Sequence, residues 1–178
     1  MNKVVKRVLF SQEEIAERCK QLAKQIDKDY ENNPHNLLVV GTLKGALPFM
    51  AELIKNITLD IEIDFIAASS YDGTESLGDI RILKDLDCSI KDRDILLVED
   101  IVDTGLTIKK LKELLYHKGA YDVKVVTLLN KEGRRTEDAA ANYVGFEIEN
   151  EFVIGFGLDY NQKYRNLPYV AVFDEKYI

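Results

Sequence analysis

The stretch Asp94-Ile95-Leu96-Leu97-Val98-Glu99-Asp100-Ile101-Val102-Asp103-Thr104-Gly105-Leu106-Thr107 decides the fold. Its apolar run over 95–98 lacks polar alternation, so it reads as a strand buried on both faces, the pattern of a parallel sheet covered by helices. The run ends on two adjacent carboxylates, then turns through Asp-Thr-Gly-x-Thr into a helix expected over 104–118. Ile108, Leu111 and Leu115 form the apolar face of that helix, and Gly119 closes it. Such a unit aims hydroxyls and free backbone N–H groups outward from the C-terminal end of a strand, where open α/β sheets bind ligands. The helix start is an anion site. The carboxylates beside it fit a ligand that carries sugar hydroxyls or a divalent metal as well as phosphate.

Working outward, residues 37–40 (Leu-Leu-Val-Val) read as a second fully buried strand, turning through Thr42-Leu43-Lys44-Gly45 into a helix over 46–55. Residues 123–129 read as a third buried strand. Ser11 with Glu14 three residues on forms a capping box, and Ile15, Cys19, Leu22 and Ile26 follow at helical spacing, so 11–29 is an amphipathic helix. Residues 4–10 read as a short strand, 58–69 as a half-buried strand, and 80–83 as its antiparallel return. Between these last two lies a polar, glycine-punctuated loop, 70–78. Strand–helix alternation predicts an α/β fold with a mainly parallel twisted sheet flanked by helices. The expected organisation is a single domain over 1–178: a core of about 36–142, and a small cap made from the N-terminal strand and the short late strands of about 143–178.

With 178 residues, 46% hydrophobic and 31% charged, the chain has the balance of an ordinary globular domain. A formal charge of −7 argues against nonspecific nucleic-acid binding, which needs a basic face. Cys19 and Cys88 match no metal or redox spacing and suit a reducing compartment. No apolar run reaches the roughly 20 residues of a membrane span and the start carries no signal-peptide core, so a cytoplasmic location is expected.

There is no G-x-G-x-x-G after a strand and no G-x-x-x-x-G-K-[ST], which excludes a Rossmann dinucleotide site and a P-loop. His35 and His117 have no partner pattern for a zinc site or a triad. The 103–107 turn suits a phosphate monoester, which would accept from successive backbone N–H groups, Leu106 included, and from the Thr104 and Thr107 hydroxyls. Gly105 allows close approach because it has no Cβ. Glu99 and Asp100 could grip vicinal ribose hydroxyls or sit near magnesium. Lys44 and Gly45 put a cation and open N–H groups after a strand, and Arg165 adds a fork of donors from a polar loop.

The segment 96–107 resembles the phosphoribosyl-pyrophosphate motif of the type I phosphoribosyltransferases. Other segments resemble the hypoxanthine-guanine members of that family in order along almost the whole chain. They are Leu43-Lys44-Gly45, Ser70-Tyr71 opening a loop to Gly78-Asp79-Ile80, Lys131, and the run from Glu151-Phe152-Val153 through Asp159-Tyr160 to Tyr164-Arg165-Asn166-Leu167. The resemblance implies the type I phosphoribosyltransferase fold with a hood, Mg2+ as cofactor, and a homodimer or homotetramer. It implies phosphoribosyl pyrophosphate and a 6-oxopurine as substrates, with neither nucleic acid nor membrane as partner.

The resemblance also implies residue roles. Asp103 is the general base at purine N7. Glu99, Asp100, Asp103, Thr104, Gly105, Leu106 and Thr107 hold the phosphoribosyl group and its 5′-phosphate. Lys44, Gly45 and Arg165 bind pyrophosphate, with a non-proline cis peptide before Lys44. Lys131 donates to purine O6, Phe152 stacks on the base, and Val153 and Asp159 read its edge through the backbone. Glu99, Asp100 and Asp159 serve the metal, and the loop opened by Ser70 and Tyr71 is a flexible lid. The alternatives are a transferase for xanthine or a pyrimidine, and a non-catalytic regulator that senses phosphoribosyl pyrophosphate. A receiver domain with an acidic pocket fits the hydroxyl-rich turn poorly.

Overall fold

In a computed structural model that describes residues 3–70, 80–131, 133 and 140–177, the apolar runs read from the sequence become adjacent strands of one sheet. β2 (Leu37–Leu43) and β5 (Asp94–Val102) lie side by side and parallel at its centre, with Leu38 opposite Ile95 and Gly41 opposite Val98. β3 (Glu62–Ser70) flanks β2, and β6 (Asp122–Lys131) and β7 (Tyr143–Ile148) continue beyond β5, all parallel. β4 (Ile80–Lys84) closes one edge antiparallel to β3, so the order is β4-β3-β2-β5-β6-β7. The chain proceeds outward in one direction from β2 and in the other from β5. The crevice between their C-terminal ends is therefore the topological switch point, where an α/β sheet takes its ligand.

Side-chain alternation along the central strands explains why both faces are apolar. Val39, Leu96, Val98 and Val126 point to one side, where they pack with Ile15, Leu22 and Ile26 of α1 (Gln12–Tyr30) and Phe49, Met50 and Leu53 of α2 (Leu47–Ile54). Leu38, Val40, Ile95, Leu97 and Val125 point to the other, against Ile108, Leu111 and Leu115 of α3 (Leu106–His117). The capping box at Ser11 forms as expected, with Glu14 N–H donating to Ser11 Oγ at 3.2 Å and Ser11 N–H donating to Glu14 Oε2 at 2.7 Å.

The cap is a separate three-stranded sheet, β1 (Val5–Phe10), β9 (Val170–Phe173) and β8 (Val153–Ile154), in the order β1-β9-β8. Val4, Val5, Ile154, Ala171 and Phe173 form its own small core. This corrects the boundary expected at about residue 143. β7 is not a cap strand: it pairs parallel with β6 as the edge of the main sheet. Its alternate positions are half-exposed, and among the described residues it is the edge of the sheet, so its pattern does not look like that of a central strand. Among the described residues, no helix is long and apolar enough to cross a membrane.

Asp64 of β3 ties the β3–β4 hairpin to the segment after it. Its carboxylate accepts from Phe65 N–H at 2.7 Å, Asp87 N–H at 2.7 Å and Lys84 Nζ at 3.3 Å. Burial by itself raises the Asp64 pKa, but these donors outweigh it and hold the carboxyl below its ordinary value. A depressed carboxyl stabilises the fold above its unfolded pKa, and that contribution is lost as pH falls through the folded one. Asp64→Asn is expected to lower Tm by roughly 2–4 °C at pH 7, about 1 kcal/mol in a chain of this size. In thermal melts the gap between the two proteins should close as pH falls through the lowered folded-state pKa, where the wild-type carboxyl is itself protonated. A gap that persists there would show that charge is not what holds the hairpin.

Candidate active site

The C-terminal ends of β2, β5 and β6, together with the cap loop after β8, converge on three adjoining cavities that share one side chain. The first, about 240 Å3, follows the turn after β5 and includes Glu99, Asp100, Asp103, Thr104, Gly105 and Thr107 in its wall. The second, about 230 Å3, lies between Thr42, Leu43, Lys44, Gly45 and Arg165, with Glu99, Asp100 and Thr107 on its near side. The third, also about 230 Å3, is bounded by Asp103, Lys131, Phe152, Val153, Leu158 and Asp159. Asp100 lines all three.

In the first cavity Gly105 takes φ 86 as the N-cap of α3, a left-handed conformation in which a Cβ would be strained. Leu106 opens the helix, with its N–H 3.4 Å from Thr104 Oγ1, and its side chain lines none of the three cavities. The backbone N–H groups at the start of α3 and the Thr104 and Thr107 hydroxyls form an arrangement that can cradle an anion. Glu99 is 6% exposed, and its Oε2 accepts from Thr42 Oγ1 at 2.7 Å. Burial pushes the Glu99 carboxyl up to about 8; the neighbouring Asp100 charge adds to the rise and the Thr42 hydrogen bond opposes it. Asp100 is likewise raised by burial, against the Ile101 N–H and the Arg165 charge, which favour its anion.

The second cavity is floored by a backbone turn held close to the β5 carboxylates. The Leu43–Lys44 peptide is cis, as the resemblance implied. A Cβ on Gly45 would stand 1.6 Å from Asp100 Oδ2, so only glycine lets the turn approach that carboxylate. Lys44 is exposed, and Arg165 reaches the same space from the cap loop. Gln162 Oε1 accepts from both cations, from Lys44 Nζ at 3.4 Å and Arg165 Nη2 at 3.2 Å. Arg165 also pairs with Asp159 at 2.7 Å and donates to Gly157 O at 2.7 Å.

In the third cavity Phe152 is 42% exposed, and T-shaped contacts with Tyr160 and Phe173, at centroid distances of 5.8 and 5.7 Å, hold its ring. Val153 is buried at the start of β8. Lys131, 8% exposed at the end of β6, lies 3.6 Å from Asp103 Oδ2. Asp103 borders both this cavity and the first.

The structure thus gathers almost every residue singled out from the sequence. Ser70 ends β3, and the lid expected to begin there, with Tyr71, lies outside the described residues. Thr42, Leu158 and Gln162 were not singled out. Thr42 sits directly before the Leu43-Lys44-Gly45 turn, a local signal that a hydroxyl stood near the site. Gln162 had none, because its position depends on a loop with three left-handed non-glycine residues, Asn161, Gln162 and Tyr164.

The family model of the phosphoribosyl transferase domain matches residues 9–161. The chain belongs to the phosphoribosyltransferase family. Within the family it is similar to the hypoxanthine-guanine phosphoribosyltransferase of Lactococcus lactis subsp. lactis, 53% identical over 173 residues, covering 97% of this chain and 93% of that one. A crystal structure of a hypoxanthine phosphoribosyltransferase from Staphylococcus aureus superposes with a TM-score of 0.92 at 46% identity, over 98% of this chain and 94% of that one. The hypoxanthine phosphoribosyl transferase of Trypanosoma cruzi gives 0.94 at 34% identity, over 99% and 95% of the respective chains. Family membership accounts for the fold and the order of the motifs along the chain.

Proposed function

We propose that this phosphoribosyltransferase transfers the 5-phosphoribosyl group of phosphoribosyl pyrophosphate to N9 of hypoxanthine or guanine, giving the nucleoside monophosphate and pyrophosphate. The observation that carries the reading is the trio of cavities meeting at Asp100: an anion cradle, a cationic turn and an aromatic slot, in the order phosphate, pyrophosphate and base. In this reading Thr104, Gly105, Leu106 and Thr107 hold the 5′-phosphate by backbone N–H groups and hydroxyls. Glu99 and Asp100 face the ribose, where their oxygens can accept from its hydroxyls and, when ionised, favour the positive charge that builds at the anomeric carbon as the leaving group departs. Lys44, the Gly45 N–H and Arg165 take the departing pyrophosphate. Phe152 stacks on the base, Lys131 donates to a 6-oxo group, and the backbone of Val153 and Asp159 reads the edge. Asp103, between the phosphate cradle and the base slot, accepts the N7 proton as N9 attacks.

Among the described residues no three His, Cys, Asp or Glu side chains are gathered tightly enough to cage a metal. Glu99 Oε1 is buried without a hydrogen-bond partner there, which fits an ion held by one or two carboxylates and completed by the substrate's own oxygens, as Mg2+ commonly is. Glu99 and Asp100 would hold it, Asp159 beside Asp100 in the third cavity would serve a second ion, and the chemistry Mg2+ supplies when bound is neutralisation of the diphosphate's charge. The two cysteines are free, which supports a reducing cytoplasm as the compartment. The assembly we propose is the homodimer or homotetramer that the resemblance implies.

The deciding assay offers phosphoribosyl pyrophosphate and Mg2+ with hypoxanthine, guanine, xanthine, adenine or uracil in turn. Turnover with hypoxanthine and guanine is expected. Turnover with xanthine or uracil alone would move the assignment to another base, and turnover with none would remove the enzyme reading in favour of a regulator.

A further inference from the structure

Glu99 is a buried carboxylate with its two oxygens treated differently. Oε2 accepts from Thr42 Oγ1 at 2.7 Å, while Oε1 is buried with no hydrogen-bond partner among the described residues. Glu99 lines the first two cavities, and a buried acceptor without a partner is costly to keep, which points to a ligand at this wall. A glutamate side chain turns about three bonds, so one oxygen presents a fixed direction only if the other is held. The holder is supplied by the sheet. β2 and β5 run parallel with Gly41 opposite Val98, which brings the next residue of β2, Thr42, alongside Glu99 across the switch point. The Thr42 hydroxyl has one proton and two acceptors near it, Glu99 Oε2 at 2.7 Å and Val98 O at 3.0 Å. The shorter contact to the group able to carry charge takes that proton.

We infer that Thr42 is a positioning residue for the phosphoribosyl moiety: its hydroxyl holds the Glu99 side chain in place in the wall shared by the first two cavities. The inference rests on the phosphoribosyl-transfer reading above and extends it from the residues that face the ligand to one that acts through another. It also links the turn that carries Lys44 to the β5 carboxylates by a side-chain bond, in addition to the close packing of Gly45 on Asp100.

The test compares Thr42→Val, which keeps the β-branched shape and removes the hydroxyl, with Thr42→Ser, which keeps the hydroxyl. Calorimetry measures binding of the nucleoside monophosphate product and of inorganic pyrophosphate, and steady-state kinetics separate the two substrates. Thr42→Val should raise the KM for phosphoribosyl pyrophosphate and the Kd for the nucleotide by about tenfold, roughly 1.4 kcal/mol. The purine KM and the inorganic pyrophosphate Kd should stay within about twofold, since neither ligand offers a ribose, and Thr42→Ser should recover most of the loss. Unchanged nucleotide affinity in Thr42→Val would overturn the inference. So would a Thr42→Ser as weak as Thr42→Val, which would assign the effect to the methyl group. So would a parallel loss of pyrophosphate binding, which would make Thr42 a support for the 43–45 turn. A wild-type protein that binds neither phosphoribosyl pyrophosphate nor nucleotide would instead remove the phosphoribosyl-transfer reading itself, and the inference with it.

Discussion

Asp103→Asn should lower kcat by about 10²- to 10⁴-fold, the usual worth of a general base, and leave the KM for phosphoribosyl pyrophosphate within about threefold. Asp103 borders both the first cavity and the third, with Lys131 Nζ 3.6 Å from its Oδ2. A carboxylate there reaches the base while the phosphoribosyl group is held by other residues. Asparagine preserves the size and the acceptor oxygen but cannot take a proton, so only the step that needs one is slowed. The measurement is steady-state kinetics with each substrate varied in turn. Unchanged kcat would remove Asp103 from the base role, and an equal rise in KM would make it a binding group instead.

Gly157→Ala is the second large expected effect, and it tests the architecture of the site. Gly157 has φ +101, and an added Cβ would stand 1.9 Å from Gly45 O and 3.0 Å from Gly45 C and Pro48 Cδ. These are backbone and ring atoms that cannot swing aside. Gly45 is itself pressed against the Asp100 carboxylate, so the cap loop, the 43–45 turn and the end of β5 are stacked without slack. Alanine must push the cap loop away from the turn and occupy a left-handed backbone as well, so a loss of about 3 kcal/mol or more is expected, combining overpacking with backbone strain. That corresponds to a Tm lower by roughly 6–12 °C, and the KM for phosphoribosyl pyrophosphate should rise as Arg165 moves away with its loop. Gly133→Ala is the control. Gly133 has φ +76 but nothing among the described residues within 4 Å of a new Cβ, so it is expected to carry the conformational penalty alone, about 1 kcal/mol. Equal losses in the two variants would mean that the contact with Gly45 contributes nothing.

Much of this molecule was legible along the chain because burial leaves a local record. The runs at 37–40 and 95–98 lack polar alternation, as strands covered on both faces do, and the capping box at Ser11 marks a helix start within four residues. The turn from Asp103 to Thr107 carries its own chemistry in sequence order, so a cradle for phosphate could be read without a fold. The edge strand β7 misled for a related reason: with one side of the sheet open beyond it, its half-exposed pattern resembles that of a cap strand, and only its pairing with β6 assigns it.

The sequence by itself determined the mainly parallel α/β fold, the hydroxyl-rich turn over 103–107, and the residue types at the positions proposed for pyrophosphate and base. Tertiary structure alone decided which of those groups act on one another: Thr42 on Glu99, Lys131 beside Asp103, Asp159 against Arg165, and Gln162 between two cations. The physical reason is range. Periodicity and capping act between residues a few positions apart, so the chain states them directly. A hydrogen bond across 57 positions, such as Thr42 to Glu99, exists only because sheet register brings two strand ends level, and register is a property of the assembled core.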